Sequence, residues 1–169
     1  MKLEKNAYSM RATELAPYLL GKLLCRRTEG GVIKARICET ECYFGEDDTA
    51  CHAHKGKTQR TKTLYAEGGI AYVYLCYGIH SLLNVVSGER DFPEAVLIRG
   101  VEGASGPGRV TKYMQIDRSF NETSFTDSSE LWIEDDGYSC EKIKLERRVG
   151  IDYASPDDRE RKWRFILDL

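Results

Sequence analysis

ICETECYFGEDDTACHAH, residues 37–54, is the stretch on which the fold turns. Its first eight residues suit a β-strand, in which side chains alternate between faces. Glu39, Glu41 and Tyr43 then share one face, and Cys38, Thr40 and Cys42 the other. Gly45 breaks the strand, and an acidic loop, Glu46-Asp47-Asp48, leads to Cys51, His52 and His54. Two carboxylates, a phenol and an imidazole around one turn can converge on a pocket. The plainer alternative is an edge strand with a solvated acidic turn, the usual fate of a charge cluster.

Upstream, Lys22 to Thr28 reads as a strand and Glu29-Gly30-Gly31 as a turn, so Val32 to Phe44 is the return arm of a hairpin. Before it, Thr13 is placed to cap a brief helix carrying Leu15, Leu19 and Leu20, with Pro17 limiting its length and Gly21 ending it. Downstream, Ile70 to Tyr77 alternates as a strand, with Tyr72, Tyr74 and Cys76 on one face. Gly78 permits a bend, and Ile79 to Val86 and Ala95 to Val101 continue as strands. The tyrosines suit either a core or an exposed platform. Gly103 to Gly108 is a flexible connection, and Pro107 opens a helix reaching about Gln115. Leu131 to Glu134 and Lys142 to Val149 read as strands of a final sheet joined by a turn at Asp135 to Gly137, and Trp163 to Leu167 as the last strand.

The 169 residues, 41% apolar and 31% charged, suit one ordinary globular domain, residues 1–169. No apolar run approaches the roughly 20 residues of a membrane helix, and the start lacks the apolar segment of a secretory leader. A reducing compartment is therefore expected, the cytosol or the nucleus. The six cysteines are scattered without a Cys-x-x-Cys pair and are expected to remain thiols. A zinc site from Cys38, Cys42, Cys51, His52 and His54 is conceivable, but a strand spaces its ligands poorly. The net charge of −2 argues mildly against nucleic acid. Yet basic residues cluster at Lys55, Lys57, Arg60 and Lys62, at Arg109, Lys112 and Arg118, and at Arg147, Arg148 and Arg159 to Arg164.

Seven ordered blocks give these pieces a family likeness. They are LLGKLLCRR (19–27), ICETECYFGEDDTACHAHKGKTQRT (37–61), AYVYLCYGIHSLLNVV (71–86), AVLIRGVE (95–102), SGPGRVTKYMQID (105–117), RVGIDYAS (148–155) and WRF (163–165). Together they resemble the alkyladenine, or methylpurine, DNA glycosylases across nearly the whole chain. The resemblance implies a mixed α/β (α+β) domain around a curved, mostly antiparallel sheet with few short helices.

It also implies a monofunctional base-excision-repair enzyme without cofactor or metal, acting as a monomer on damaged double-stranded DNA. Such enzymes flip a damaged purine nucleotide from the duplex and hydrolyse its N-glycosidic bond, leaving an abasic site. The substrates implied are 3-methyladenine, 7-methylguanine, hypoxanthine and ethenoadenine. The implied location is the bacterial cytoplasm with its nucleoid, or the eukaryotic nucleus.

Residue by residue, the resemblance makes Glu41 the general base, with Arg99 and the Val149 carbonyl holding the attacking water. It makes Tyr43, His52 and Tyr74 base-stacking residues and Asn84 the screen against the 2-amino group of guanine. Tyr77 is the wedge that fills the gap in the duplex. Lys55, Lys57, Arg60, Arg109 and Lys112 are the candidate DNA-backbone contacts. Glu39 is left as a structural ion pair. The chain departs from the family pattern at Cys42, Glu46, Lys57, Thr61 and Gly68, and by a shortened segment between Glu102 and Gly106. Two other classes compete. A damage-binding module would lack the carboxylate, and a zinc deaminase would need a His-x-Glu and a Cys-x-x-Cys, neither of which is present.

Overall fold

A computed structural model describes residues 1–168. Its strands are β1 (Leu23–Thr28), β2 (Gly31–Phe44), β3 (Ala71–Cys76), β4 (His80–Ser87), β5 (Glu94–Val101), β6 (Ala104–Ser105), β7 (Leu131–Glu134), β8 (Ile143–Glu146) and β9 (Arg164–Leu167). The helices are α1 (Ala12–Leu19), α2 (Pro107–Met114) and α3 (Pro156–Glu160). All strand pairs are antiparallel, in the order β3-β4-β5-β2-β1-β7, with β6 on β5 and β9 joining β8 to β2. The result is the expected α+β domain around a curled antiparallel sheet. Among the described residues no helix is long and apolar enough to cross a membrane.

Strand β2, 14 residues long, binds the molecule together. From Gly31 to Arg36 it pairs with β1; from Ile37 to Phe44 it pairs with β5. Where β1 ends, β9 takes over the free edge at Glu39, Thr40 and Glu41. Those three residues are therefore flanked by strands on both sides, and their backbone is fixed at a sheet centre.

Alternation then sorts the side chains. Cys42, Val96, Val85 and Ala71 lie in one cross-strand row and are buried in the main core. Leu15, Ala16 and Leu19 of α1 and Val110 and Met114 of α2 complete that core. Each such aliphatic side chain stabilises by about 1.5–3 kcal/mol when fully buried. Thr40 points the same way and donates its hydroxyl to Ala16 O at 2.8 Å. The opposite sheet face is left for polar and aromatic groups.

Two expectations need correction. The first helix begins at Ala12, not after a Thr13 cap. Its first amide, Ala12 N–H, donates to Glu94 Oε2 at 3.1 Å, and Arg11 Nε donates to Glu94 Oε1 at 2.7 Å. A carboxylate from β5 thus caps Ala12, beside Glu14, whose Oε2 accepts the Arg11 N–H at 3.3 Å. Nor do β7 and β8 pair with each other across a turn at Asp135. β7 pairs with β1, whereas β8 is shorter than expected and pairs with β9. Gly68, one of the departures, is also explained: a Cβ there would collide with the Tyr8 carbonyl.

Candidate active site

Register sets the site on the sheet face away from the helices. Glu41 pairs with Leu97, Leu97 with Asn84, and Asn84 with Tyr72, so these four form one row across β2, β5, β4 and β3. Tyr43 and Ala95 begin the adjacent row. A small open cleft lies over them, lined by Tyr43, Ala50, Cys51, His52, Leu64, Tyr72, Tyr74, Asn84, Ala95 and Tyr153. Strand β2 is central rather than an edge, and Tyr43 and His52 line the cleft, whereas Glu41 is buried beside it and Glu39 is held in ion pairs with Arg99 and Arg164.

The Glu41 side chain is fully buried beside this cleft. Its Oε2 accepts the Val149 N–H at 2.6 Å, and its Oε1 accepts the Tyr43 hydroxyl at 3.2 Å. Arg99 Nη1 lies 3.9 Å from Oε1. Burial pushes the carboxyl up from its ordinary range; Arg99, the amide and the phenol offset part of that rise. The carboxylate is held rigidly yet remains more basic than one in water. That combination suits a general base. The resemblance implied the Val149 carbonyl; the contact seen here is the Val149 amide donating to the carboxylate.

Arg99 reaches Glu41 through paired irregularities. Between Ile37 and Thr40 the register skips Cys38 on β2 and Arg99 on β5. Such bulges re-aim side chains. Arg99 consequently lies between two carboxylates, with Nε 3.5 Å from Glu39 Oε1, and that buried Nε has no hydrogen-bond partner.

The cleft walls are aromatic and uncharged. His52 Nδ1 lies 3.0 Å from the Tyr72 hydroxyl, and the His52 ring stands edge-on to Tyr74 at 4.5 Å between centroids. Tyr72 and Tyr74 follow at 5.3 Å. Burial, reinforced by Arg60 and Lys55, lowers the His52 pKa to about 4, so the imidazole is neutral at physiological pH. Burial also raises the Tyr43 and Tyr74 phenols, which stay protonated. Asn84 is buried and donates Nδ2 to Tyr72 O at 3.2 Å. It therefore both lines the cleft and ties β4 to β3.

Tyr77 is not a strand residue. It stands at the tip of the β3–β4 hairpin, 92% exposed, with φ of 54° followed by 66° at Gly78. Two successive positive φ angles make the tight turn whose twist suits a hairpin. A non-glycine residue there costs about 1–2 kcal/mol, a strain that cooperating strands must hold. The turn thrusts an aromatic ring into solvent.

The basic candidates are more dispersed. Lys55 and Arg60 border a second opening that shares His52 and Tyr153 with the cleft. The Arg60 guanidinium lies 5.5 Å from the Tyr74 ring centroid, and Lys57 lies 5.5 Å from that of Tyr65. Arg109 and Lys112 are exposed on α2, outside the cleft. Gly108 packs against His80, which brings the start of α2 to the Tyr77 hairpin. Among the described residues no three His, Cys, Asp or Glu side chains gather as a metal-binding set.

Two important residues carried no local signal. Arg148, counted above with a basic surface cluster, is buried, as is Asp48 of the acidic loop. Arg148 donates to Asp48 Oδ2 at 2.6 Å, Asp48 Oδ1 at 3.0 Å, Cys42 O at 3.0 Å and Asp158 O at 3.3 Å. This clamp holds the chain just before Val149, whose amide serves Glu41. Tyr153 donates its hydroxyl to Ala50 O at 2.7 Å and supplies one side of the cleft. Both residues lie inside the RVGIDYAS block, but only the folded contacts reveal what they do.

The chain is similar to known proteins over nearly its whole length. The family described as Methylpurine-DNA glycosylase (MPG) matches residues 6–105 and 102–168. A protein of Borrelia garinii subsp. bavariensis is 39% identical, covering 98% of this chain and 95% of its own length. One from Anaeromyxobacter is 43% identical over 99% of this chain and 90% of its own. One from the archaeon Methanocella arvoryzae is 40% identical over 96% and 90%. All three carry the name "Putative 3-methyladenine DNA glycosylase". With matches over nearly its whole length and a buried carboxylate beside an aromatic cleft, this chain belongs to the methylpurine-DNA glycosylase family.

Proposed function

We propose that this protein flips a damaged purine nucleotide out of duplex DNA and hydrolyses its N-glycosidic bond with a water activated by Glu41. The observation that carries the proposal is the buried, three-partner Glu41 carboxylate beside a cleft of neutral aromatic rings. Glu41 orients and deprotonates the water that attacks C1′, and its charge stabilises the oxocarbenium-like transition state. Arg99 helps to hold the water.

The base stacks among Tyr43, His52 and Tyr74. An N3- or N7-alkylated purine is cationic, and ring faces attract it by about 1–2 kcal/mol when desolvated. Neutral His52 adds a stacking surface without repelling that charge. Asn84 meets the purine edge where guanine carries its 2-amino group. Tyr77 fills the vacated place in the duplex and offsets part of the unstacking cost. Lys55, Lys57, Arg60, Arg109 and Lys112 contact the DNA backbone. The product is an abasic site.

Single-turnover base release from duplexes carrying one defined lesion each, 3-methyladenine among them, is the direct test. Glu41→Gln keeps the shape and removes the base. It should lower release at least about 100-fold while damaged DNA still binds. A variant that retains wild-type activity would reassign the water to another group; a wild-type protein that binds lesions but never releases a base would favour a damage-binding module.

A further inference from the structure

The sheet centre contains a row of alternating charges, of which the proposed reaction uses only Glu41 and Arg99. Arg164 of β9 donates Nη1 to Glu39 Oε1 at 2.8 Å. Glu39 Oε1 lies 3.5 Å from Arg99 Nε, and Arg99 Nη1 lies 3.9 Å from Glu41 Oε1. Arg99 thus faces two carboxylates and forms a full hydrogen-bonded pair with neither; its buried Nε is left without a partner. An Arg and a lone carboxylate in this setting would close into a bidentate pair. Such a pair would occupy the lone pairs of Glu41 and make it a weaker base.

We infer that Glu39, itself held by Arg164, is a positioning residue that keeps Arg99 from closing onto Glu41. The inference rests on Glu41 being the base, as proposed above. Glu39 is rigid enough for the task. It is paired with Gly100 of β5 on one side and Ile166 of β9 on the other. Gly100 makes room for the close approach, because a Cβ there would stand 3.2 Å from Glu39 Cβ. Arg164 is fixed in turn, since its Nε donates to Arg147 O at 2.8 Å. The division of the Arg99 charge is therefore set by how strongly Arg164 occupies Glu39.

Other groups face Glu41 as well. They are Tyr43 on β2, Tyr74 on β3, and Arg148 and Tyr153 on the C-terminal segment. None of them contacts Glu39 or Arg164 in the hydrogen-bond and ion-pair network, so variants at those two positions isolate the row.

The test is the pH dependence of single-turnover base release for Glu39→Gln and Arg164→Gln. Glu39→Gln removes the competing carboxylate, so Arg99 turns to Glu41, and the acid limb should move down by about one pH unit. Arg164→Gln does the reverse. Glu39 loses its nearest cation and draws Arg99 away, and the limb should move up. Arg164→Lys keeps the charge and should restore the limb toward wild type. Opposite shifts that disappear in the Arg99→Gln background are the signature; shifts of the same size there are the through-space effect of the deleted charges alone and overturn the inference. Limbs that coincide with wild type, or shift in the same direction, overturn the inference. If Glu39→Gln does not fold, an unmoved or downward limb in Arg164→Gln overturns it alone. Failure of the underlying reading looks different: Glu41→Gln would then keep its activity whatever the limbs do.

Discussion

Replacing Arg148 by methionine is the sharpest test of how the C-terminal segment supports the site. The substitution keeps an unbranched apolar stem and deletes the guanidinium. Four hydrogen bonds disappear, two to Asp48 and one each to Cys42 O and Asp158 O. Asp48 stays buried, retaining the Phe44 amide at 3.0 Å and the Ala50 amide at 3.1 Å. Removing one partner of a buried ion pair costs about 3–5 kcal/mol, because the other charge is left uncompensated. The two stranded carbonyls place this case near the upper end, at about 5 kcal/mol. For a chain of this size each kcal/mol lowers Tm by about 2–4 °C, so a fall of roughly 10–20 °C is expected. Urea denaturation followed by circular dichroism measures the loss directly. Asp48→Asn should also destabilise, and the double variant should lose less than the sum of the singles. Activity should fall even where the variant remains folded, since Val149 N–H is one residue from the deleted clamp. A stability loss below about 1 kcal/mol, the range of exposed pairs, would refute the argument. So would strict additivity of the two substitutions.

Two further outcomes follow from the cleft itself. Asn84→Ser removes an amide that lines the cleft and the 3.2 Å bond to Tyr72 O; if it meets the base as proposed, discrimination against guanine relative to 3-methyladenine should fall by about 1–3 kcal/mol. Equal loss of both activities with a lower Tm would reduce Asn84 to a strand tie. His52 is lowered to about 4 from an ordinary 6.5, so between those values the unfolded chain binds more protons than the folded one. Stability should therefore fall as pH drops through that window; His52→Gln should flatten this part of the curve in urea midpoints taken between pH 7 and pH 4.

Much of the site was legible because it obeys local periodicity. The alternation that put Glu39, Glu41 and Tyr43 on one face is the one observed, with the Tyr43 hydroxyl on Glu41. The same rule placed Tyr72 and Tyr74 together, and Gly78 marked the β3–β4 bend. What escaped depends on partners distant in sequence. The α1 cap comes from Glu94, 82 residues beyond Ala12, and the clamp on Asp48 comes from 100 residues away. No window of sequence contains both ends of such contacts. β8 was misassigned for the same reason: a short amphipathic strand does not announce its partner, and β9 wins it from β7. Periodicity extends the strand through Tyr77 because it is blind to a positive φ at a non-glycine residue.

These misses have a common cause, which also bears on the proposed chemistry. Residues that react must be fixed more firmly than local propensity allows. Glu41 has strands on both sides, a bulge that aims Arg99 toward it, and an amide brought by a segment clamped through Arg148. Each support comes from a different part of the chain. Reaction rates are sensitive to displacements of a fraction of an ångström, so each support bears on the proposed chemistry. The carboxylate itself can be read from eight residues of strand. Its basicity is a property of the whole domain, since it depends on burial by the sheet and on a guanidinium shared between two acids.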